Sequence, residues 1–315
     1  MNAVAGLQRE IANGSAREQF AADLLDRLWA QYRQRVSYVQ TYEKVVAQHA
    51  ARFFNDHIAL RTLSCQIPFT GIATLGRIFE ALGWRPAGTY QFPDKQLSSI
   101  HFEPPHPELP KVFISELQLW ALPAATREIL LRSLHSHRLP VSDETLAKIA
   151  DVESLGAAER QTLLERLVRE FHELPWSLPE KSDVLAVNRV SQFAAWVLLH
   201  GYNVNHFTSL INSHDVESLN DIEKTSAALA AAGVPMKAEI EGERGSKLRQ
   251  TATEAVVIDV DVAENGLQSR MPWTYAYFEL AERGQLFNPA TGVAHRFEGF
   301  LGPQAAQLFE MTRKT

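Results

Sequence analysis

The chain has 315 residues, 45% of them hydrophobic and 22% charged, with a formal charge of −6 and a pI near 6.0. Such values fit a soluble globular protein with room for a substantial core, and they argue against a nucleic-acid binder, which needs a strong positive field. Cys65 is the sole cysteine, so no internal disulfide forms and a reducing, cytoplasmic setting is expected. No apolar run approaches the roughly 18 residues of a membrane span, and the polar first 20 residues do not read as a secretory signal.

Along the chain, Phe20, Leu24, Leu25, Leu28 and Trp29 recur at three- and four-residue spacing and predict a helix, with a second through Tyr38, Tyr42 and Val45. Residues 57–63 then read as a strand and 71–82 as a helix with Ile72, Leu75, Ile78, Phe79 and Leu82 on one face. Strands around 88–92, 99–103 and 112–119 complete a β-α-β-β-β unit. Helices predicted over 125–134, 142–149 and 157–174, with Pro140, Pro175 and Pro179 as stops, form an insertion, and a further single helix over 183–199 leads onward. The order then repeats: a strand over 205–211, a helix over 222–232, and strands near 237–241, 255–262 and 274–281. The expected fold is α+β, with duplicated β-α-β-β-β units at 51–122 and 201–300. N-terminal helices (1–50), the helical insertion (123–200) and a tail (301–315) complete one catalytic domain.

Each unit opens on a histidine, His57 and His206. Strand residues two apart share a face, which groups His57, Ala59 and Arg61, then His206, Thr208 and Leu210, then Tyr275, Tyr277 and Glu279. A curled sheet would bring His206 to Glu279 within one unit, and pairing the units face to face would add His57. Two imidazoles and one carboxylate make the face that binds non-haem Fe(II), with other divalent ions as alternatives, and they leave positions open for substrate and O₂. A lone histidine at a strand start is more often a core or surface residue. Matched placement in two units favours the metal, as does Glu279 inside an apolar run, where an unpaired carboxylate is costly to bury.

Arg61 lies four strand residues from His57, roughly 13 Å at about 3.3 Å per residue, so it could grip the far carboxylate of a dicarboxylic acid chelated at the metal. Pairing with Asp56 is the alternative. Thr208 and Tyr277 are expected to line the pocket, and Arg249 and Gln250 either to contact substrate or, equally, to pair at the surface. Glu116 is assigned the place in the first unit that Glu279 holds in the second, and a role supporting the ligands or facing substrate is favoured over that of a fourth ligand. Residues 242–247 read as a mobile loop that could act as a lid, without the phosphate-binding pattern. His101 and His106, beside Pro104, Pro105 and Pro107, are expected in a loop.

Asp56-His57-Ile58-Ala59-Leu60-Arg61-Thr62, Val204-Asn205-His206-Phe207-Thr208, Leu248-Arg249-Gln250-Thr251 and Tyr277-Phe278-Glu279-Leu280-Ala281-Glu282-Arg283, in that order and spacing, resemble the 2-oxoadipate dioxygenase/decarboxylase family. That family is distantly similar to the vicinal oxygen chelate superfamily, which includes glyoxalase I and the extradiol dioxygenases. The resemblance runs over most of 50–300. It implies Fe(II) on His57, His206 and Glu279, with Arg61 on the substrate carboxylate. The implied reaction converts 2-oxoadipate and O₂ to 2-hydroxyglutarate and CO₂, a step of lysine breakdown. The partners are then a 2-oxo acid and O₂, with no nucleic acid or membrane, and the oligomeric state is left open. A glyoxalase-like or extradiol-type enzyme on the same scaffold, or a non-catalytic small-molecule binder, are the rival readings.

Overall fold

Ser15 starts the first helix through a capping box. Its hydroxyl accepts from the Glu18 backbone N–H, while the Glu18 carboxylate accepts from the Ser15 N–H. In the computed structural model, which describes residues 11 and 13–301, this helix is α1 (Ala16–Arg35), followed by α2 (Tyr38–Gln48). The predicted tail therefore lies, apart from residue 301, outside the described residues, as do residues 1–10 and 12. The first unit holds β1 (Asn55–Ser64), α3 (Ile72–Ala81), β2 (Arg85–Phe92), β3 (Leu97–Glu103) and β4 (Lys111–Gln118). The insertion carries α4 (Ala124–Ser133), α5 (Asp143–Ala150), α6 (Ala157–His172), α7 (Lys181–Asn188) and α8 (Gln192–His200). The second unit has β5 (Val204–Leu210), α9 (Ile222–Ala231), β6 (Leu248–Ala252), β7 (Val257–Glu264), β8 (Leu267–Thr274) and β9 (Glu279–Arg283), and a hairpin of β10 (Gln285–Asn288) and β11 (Val293–Arg296) follows.

The expected single helix over 183–199 is two helices. The Ser191 hydroxyl accepts from the Ala194 N–H at 3.2 Å, capping a new start at α8. Phe193 through His200 are all buried, as befits a helix that is apolar on every side.

Seven strands form one curled sheet in the order β2-β3-β4-β1-β5-β9-β6. Within the first unit β1 pairs parallel with β4, and β3 and β2 add antiparallel. Within the second, β5 pairs parallel with β9, and β6 adds antiparallel. The two units join edge to edge through antiparallel β1–β5 pairing, with His57 opposite Thr208 and Ala59 opposite His206. They are not stacked face to face. This join sets both histidines on the same inner face of one sheet.

Three strand expectations in the second unit change. Around 237–241 there are only the isolated bridges Met236–Thr253 and Glu241–Gln250, at the place where the first unit has β2. The segment 255–262 falls largely in β7, which leaves the main sheet to form a separate hairpin with β8. Its place in the sheet is taken by β6. The strand expected over 274–281 begins only at Glu279, so Tyr275 and Tyr277 precede it in irregular chain rather than sharing a strand face with it. The hairpin is inserted between β6 and β9 and lengthens the stretch from His206 to Glu279.

The outer face of the sheet packs on α1 and α2. Trp29 meets Phe207 edge-on at 5.0 Å between ring centroids, and Tyr42 meets Phe53 at 4.8 Å and Phe278 at 4.9 Å. Phe207 points away from its neighbours His206 and Thr208, so burying the aromatic core on one face turns the polar residues to the other. The Tyr32 hydroxyl donates to the Tyr277 carbonyl, tying α1 to the chain just before Glu279. Among the described residues no helix is long and apolar enough to cross a membrane.

Glu116 is on this outer face, and its predicted role is corrected. Its Oε2 accepts the Ile72 N–H at 2.8 Å, capping the start of α3. Gly71 makes room: with φ +115° it is in a conformation that favours glycine, and a Cβ there would sit 2.6 Å from the Glu116 carboxylate. Glu282 does the same in the second unit, accepting the Ile222 N–H at the start of α9 at 2.8 Å. Ala59 faces Phe113 across the parallel ladder as Thr208 faces Glu279, and Glu116 and Glu282 each lie three residues further on. The counterpart of Glu279 is therefore Phe113, and that of Glu116 is Glu282. Glu116→Ala should lower stability by about 1–2 kcal/mol in urea unfolding, the usual scale for a lost cap. Metal content should stay unchanged, and its loss in this variant would return Glu116 to the ligand set.

Candidate metal centre

His57 and His206 project from adjacent strands, with Glu279 two strands from β1 and beside Thr208 in the ladder. Glu279 Oε1 lies 3.7 Å from His57 Nε2, and Glu279 Oε2 lies 3.4 Å from His206 Nε2. One donor atom from each residue falls within 4.8 Å of the others, a set that could hold a metal ion. All three are buried, Glu279 completely.

Both imidazoles are held by their other nitrogen. His57 Nδ1 is 2.8 Å from Asp56 Oδ2, and His206 Nδ1 is 3.0 Å from Asn205 Oδ1. An acceptor at Nδ1 places the proton there and leaves the Nε2 lone pair facing Glu279, the arrangement that metal-binding histidines use. Asp56 is itself clamped by Arg283, whose Nη2 donates to Oδ2 at 2.7 Å and whose Nη1 donates to the Gly299 carbonyl at 2.7 Å. Burial alone would raise the Asp56 carboxyl, but the Arg283 charge and its hydrogen bonds hold it well below the usual carboxylate range.

Burial lowers the pKa of both histidines, so both are neutral near pH 7 and available as donors. Burial, and then the nearby Glu241 charge, push Glu279 well above its ordinary value, against a hydrogen bond from Gln250 Nε2 to Oε1 at 2.6 Å. Glu279 Oε2 makes no hydrogen bond among the described residues.

A cavity of about 30 Å³ adjoins the cluster, lined by His57, His206, Arg61, Ala59, Leu60, Asn205, Tyr277, Phe113, Ser115 and Phe300. Tyr277 stacks on His206 at 4.9 Å, and Phe300 meets His57 edge-on at 4.9 Å. Arg61 is 2% exposed, its guanidinium 5.0 Å from the Phe193 ring and 5.3 Å from that of Trp196. Its suggested pairing with Asp56 is not the arrangement found, since Asp56 belongs to Arg283.

The remaining predicted residues divide. Thr208 and Gln250 reach the cluster without lining the cavity: Thr208 Oγ1 is 3.1 Å from His57 Nε2, and Gln250 holds Glu279. Arg249, one residue along, is turned to the outer face, where it binds Glu223 at 2.9 Å and Glu282 at 3.5 Å, so its assignment to substrate is corrected. His101 is a buried residue of β3, not a loop residue, and meets the Tyr90 hydroxyl at 2.9 Å. The sequence reading missed Asp56, Asn205, Arg283, Phe113, Ser115 and Phe300. A signal for two of these was present, because an Asp or Asn precedes each histidine.

The fold is that of a mixed α and β protein with a curled half-barrel sheet, as in glyoxalase-superfamily proteins. One such protein, from Ralstonia eutropha JMP134, superposes with a TM-score of 0.79 at 23% identity over 94% of this chain and 90% of its own. The hydroxyglutarate synthase of Oryza sativa, solved in complex with 2-oxoadipate, superposes with a TM-score of 0.76 at 24% identity over 99% and 96%. The family profile of 2-oxoadipate dioxygenase/decarboxylase matches residues 22–294, and the chain belongs to that family. The chloroplastic 2-oxoadipate dioxygenase/decarboxylase of Arabidopsis thaliana is 29% identical over 279 residues, 82% of this chain and 67% of that protein. The chloroplastic/amyloplastic enzyme of Oryza sativa subsp. japonica is 28% identical over 281 residues, 82% and 68%.

Asp56→Asn leaves Arg283 buried without its anionic partner, and breaking such a pair costs about 3–5 kcal/mol. Urea unfolding of this variant should show a loss of that order. A loss under about 1 kcal/mol, the range of exposed pairs, would contradict the clamp.

Proposed function

We propose that this chain is a non-haem Fe(II) enzyme that converts 2-oxoadipate and O₂ to 2-hydroxyglutarate and CO₂. The observation that carries this reading is the convergence of His57, His206 and Glu279 beside a cavity that also contains Arg61. Family membership narrows the chemistry, and the 2-oxoadipate complex of the rice relative supports the substrate.

The donor set fits a divalent ion. A buried carboxylate oxygen without a hydrogen bond is costly as an anion, and a cation bound there would relieve that cost. Ligands about 2.0–2.2 Å from one ion lie about 3–3.5 Å apart, close to the 3.4 and 3.7 Å separations seen here. Two imidazoles and one carboxylate form the triad typical of non-haem Fe(II). Fe(II) held by these residues would supply chelation of the 2-oxo acid and activation of O₂ for decarboxylation and hydroxylation.

The chain's own residues do the remaining work. Asp56 and Asn205 keep both Nε2 lone pairs directed inward, and Arg283 keeps Asp56 ionised. Gln250 fixes the plane of the Glu279 carboxylate. The net charge of two neutral imidazoles, one carboxylate and a divalent ion is +1, which attracts an anionic 2-oxo acid. Arg61 would bind the far carboxylate, its guanidinium already oriented by Phe193 and Trp196. Tyr277, Phe113 and Phe300 exclude water from the reacting end.

The reaction balances: six carbons become five plus one, and both atoms of O₂ enter the products. A glyoxalase-like site with Glu116 as fourth ligand is not favoured, because Glu116 caps α3 on the outer face.

Protein loaded with Fe(II) without air should take up O₂ and release CO₂ in equal amounts on addition of 2-oxoadipate. No uptake with 2-oxo acids of four to seven carbons would eliminate the reading. Arg61→Ala should raise KM for the dicarboxylate about 10- to 100-fold, the scale of a hydrogen-bonded charge pair, with little change for a monocarboxylic 2-oxo acid of equal length. Equal changes for both acids would remove the assigned role.

A further inference from the structure

Arg61 is not the sole polar group at its end of the cavity. Ser115 is its Cα partner in the parallel β1–β4 ladder, lies on the same inner face and lines the same cavity. Behind it, Ser99 of β3 is the cross-strand partner of Ser115 and donates its hydroxyl hydrogen to Ser115 Oγ at 2.7 Å. Both are buried, at 2% and 1% exposure.

A hydroxyl carries one hydrogen and two lone pairs. With Ser99 donating to its oxygen, Ser115 keeps its own hydrogen, and among the described residues no acceptor takes it. Accepting one hydrogen bond polarises the O–H and makes it a stronger donor. A buried donor without an acceptor is costly, and an incoming carboxylate would remove that cost. The aromatic rings of Phe193 and Trp196 flank the Arg61 guanidinium. Ser115 lies one strand over from Arg61, able to reach a carboxylate oxygen that Arg61 leaves open.

Resting on the proposed dicarboxylate chemistry, we infer that Ser115, primed by Ser99, is a second donor to the distal carboxylate of the substrate and selects 2-oxo diacids over 2-oxo monoacids. Arg61 supplies charge, and Ser115 supplies direction. The two together fix where the far end of the chain must stop, and therefore which chain length spans from the metal ligands to the clamp.

The test measures anaerobic calorimetric affinity, KM and kcat for 2-oxoadipate and for 2-oxohexanoate, which has the same chain length and no distal carboxylate. In Ser115→Ala the affinity for 2-oxoadipate should fall about tenfold, as for loss of one hydrogen bond to a charged group, with kcat within about twofold and 2-oxohexanoate unchanged. Ser115→Thr, which keeps the hydroxyl, should recover most of the loss, and Ser99→Ala should give a smaller loss of about threefold. Unchanged diacid affinity in a folded Ser115→Ala, or equal losses for both acids, overturns the inference. If Ser115→Ala fails to fold, Ser115→Cys is measured against the same two outcomes. Wild-type protein that consumes 2-oxoadipate while Ser115→Ala binds it normally defeats only the serine's role. Wild-type protein that neither binds nor consumes 2-oxoadipate defeats the functional reading and this inference with it.

Discussion

A carboxylate shut off from water between two neutral imidazoles is the constraint around which this chain is organised. Glu279 has no exposed surface, and among the described residues one of its oxygens makes no hydrogen bond. Left as an isolated anion it would carry a large desolvation cost, and its pKa is accordingly driven upward by burial. Among the described residues it lies within ion-pair distance of the two histidines rather than of a lysine or arginine. The histidines place two lone-pair donors opposite it, held by Asp56 and Asn205. A buried anion facing electron-pair donors is satisfied by a cation, and this requirement links the sheet join, the supporting hydrogen bonds and the chemistry.

The sheet achieves the convergence by a simple device. Two copies of one unit meet through antiparallel β1–β5 pairing, so equivalent inner-face residues approach one another across the join. The two units differ at the matching inner-face position, where the second has Glu279 and the first has Phe113. The outer-face carboxylates that cap α3 and α9, Glu116 and Glu282, are retained in both. Structural duplication thus persists where it stabilises helices and is broken where it would add a second carboxylate. The result is an asymmetric cluster with an apolar wall on the Phe113 side.

Much of this was readable from residue order. The apolar periodicity of α1 and α3 and the repeated strand–helix–strands order gave the architecture, because those signals are local and each is reinforced by burial on a single face. The two histidines and Glu279 were legible because a polar residue in an apolar strand needs a partner. What the sequence could not give was register. A difference of three residues decides whether Glu116 or Phe113 matches Glu279, and only the ladder settles it. Likewise, Arg249 and Gln250 are adjacent, yet strand alternation sends one to Glu223 on the outer face and the other to Glu279. The segment that forms β7 reads as part of the main sheet because its alternation resembles that of any half-buried strand, whereas it pairs with β8 in a separate hairpin. Phe300 reaches His57 from a distant, irregular segment with no periodic signal at all.

His57, His206 and Glu279 are proposed to share one ion. Equilibrium dialysis of metal-free protein against Fe(II) without air, with iron counted per chain, tests this directly. One equivalent should bind tightly to the wild type, and none to Glu279→Ala, provided that variant keeps the wild-type circular dichroism spectrum. Stoichiometric binding that survives in folded Glu279→Ala would contradict the account.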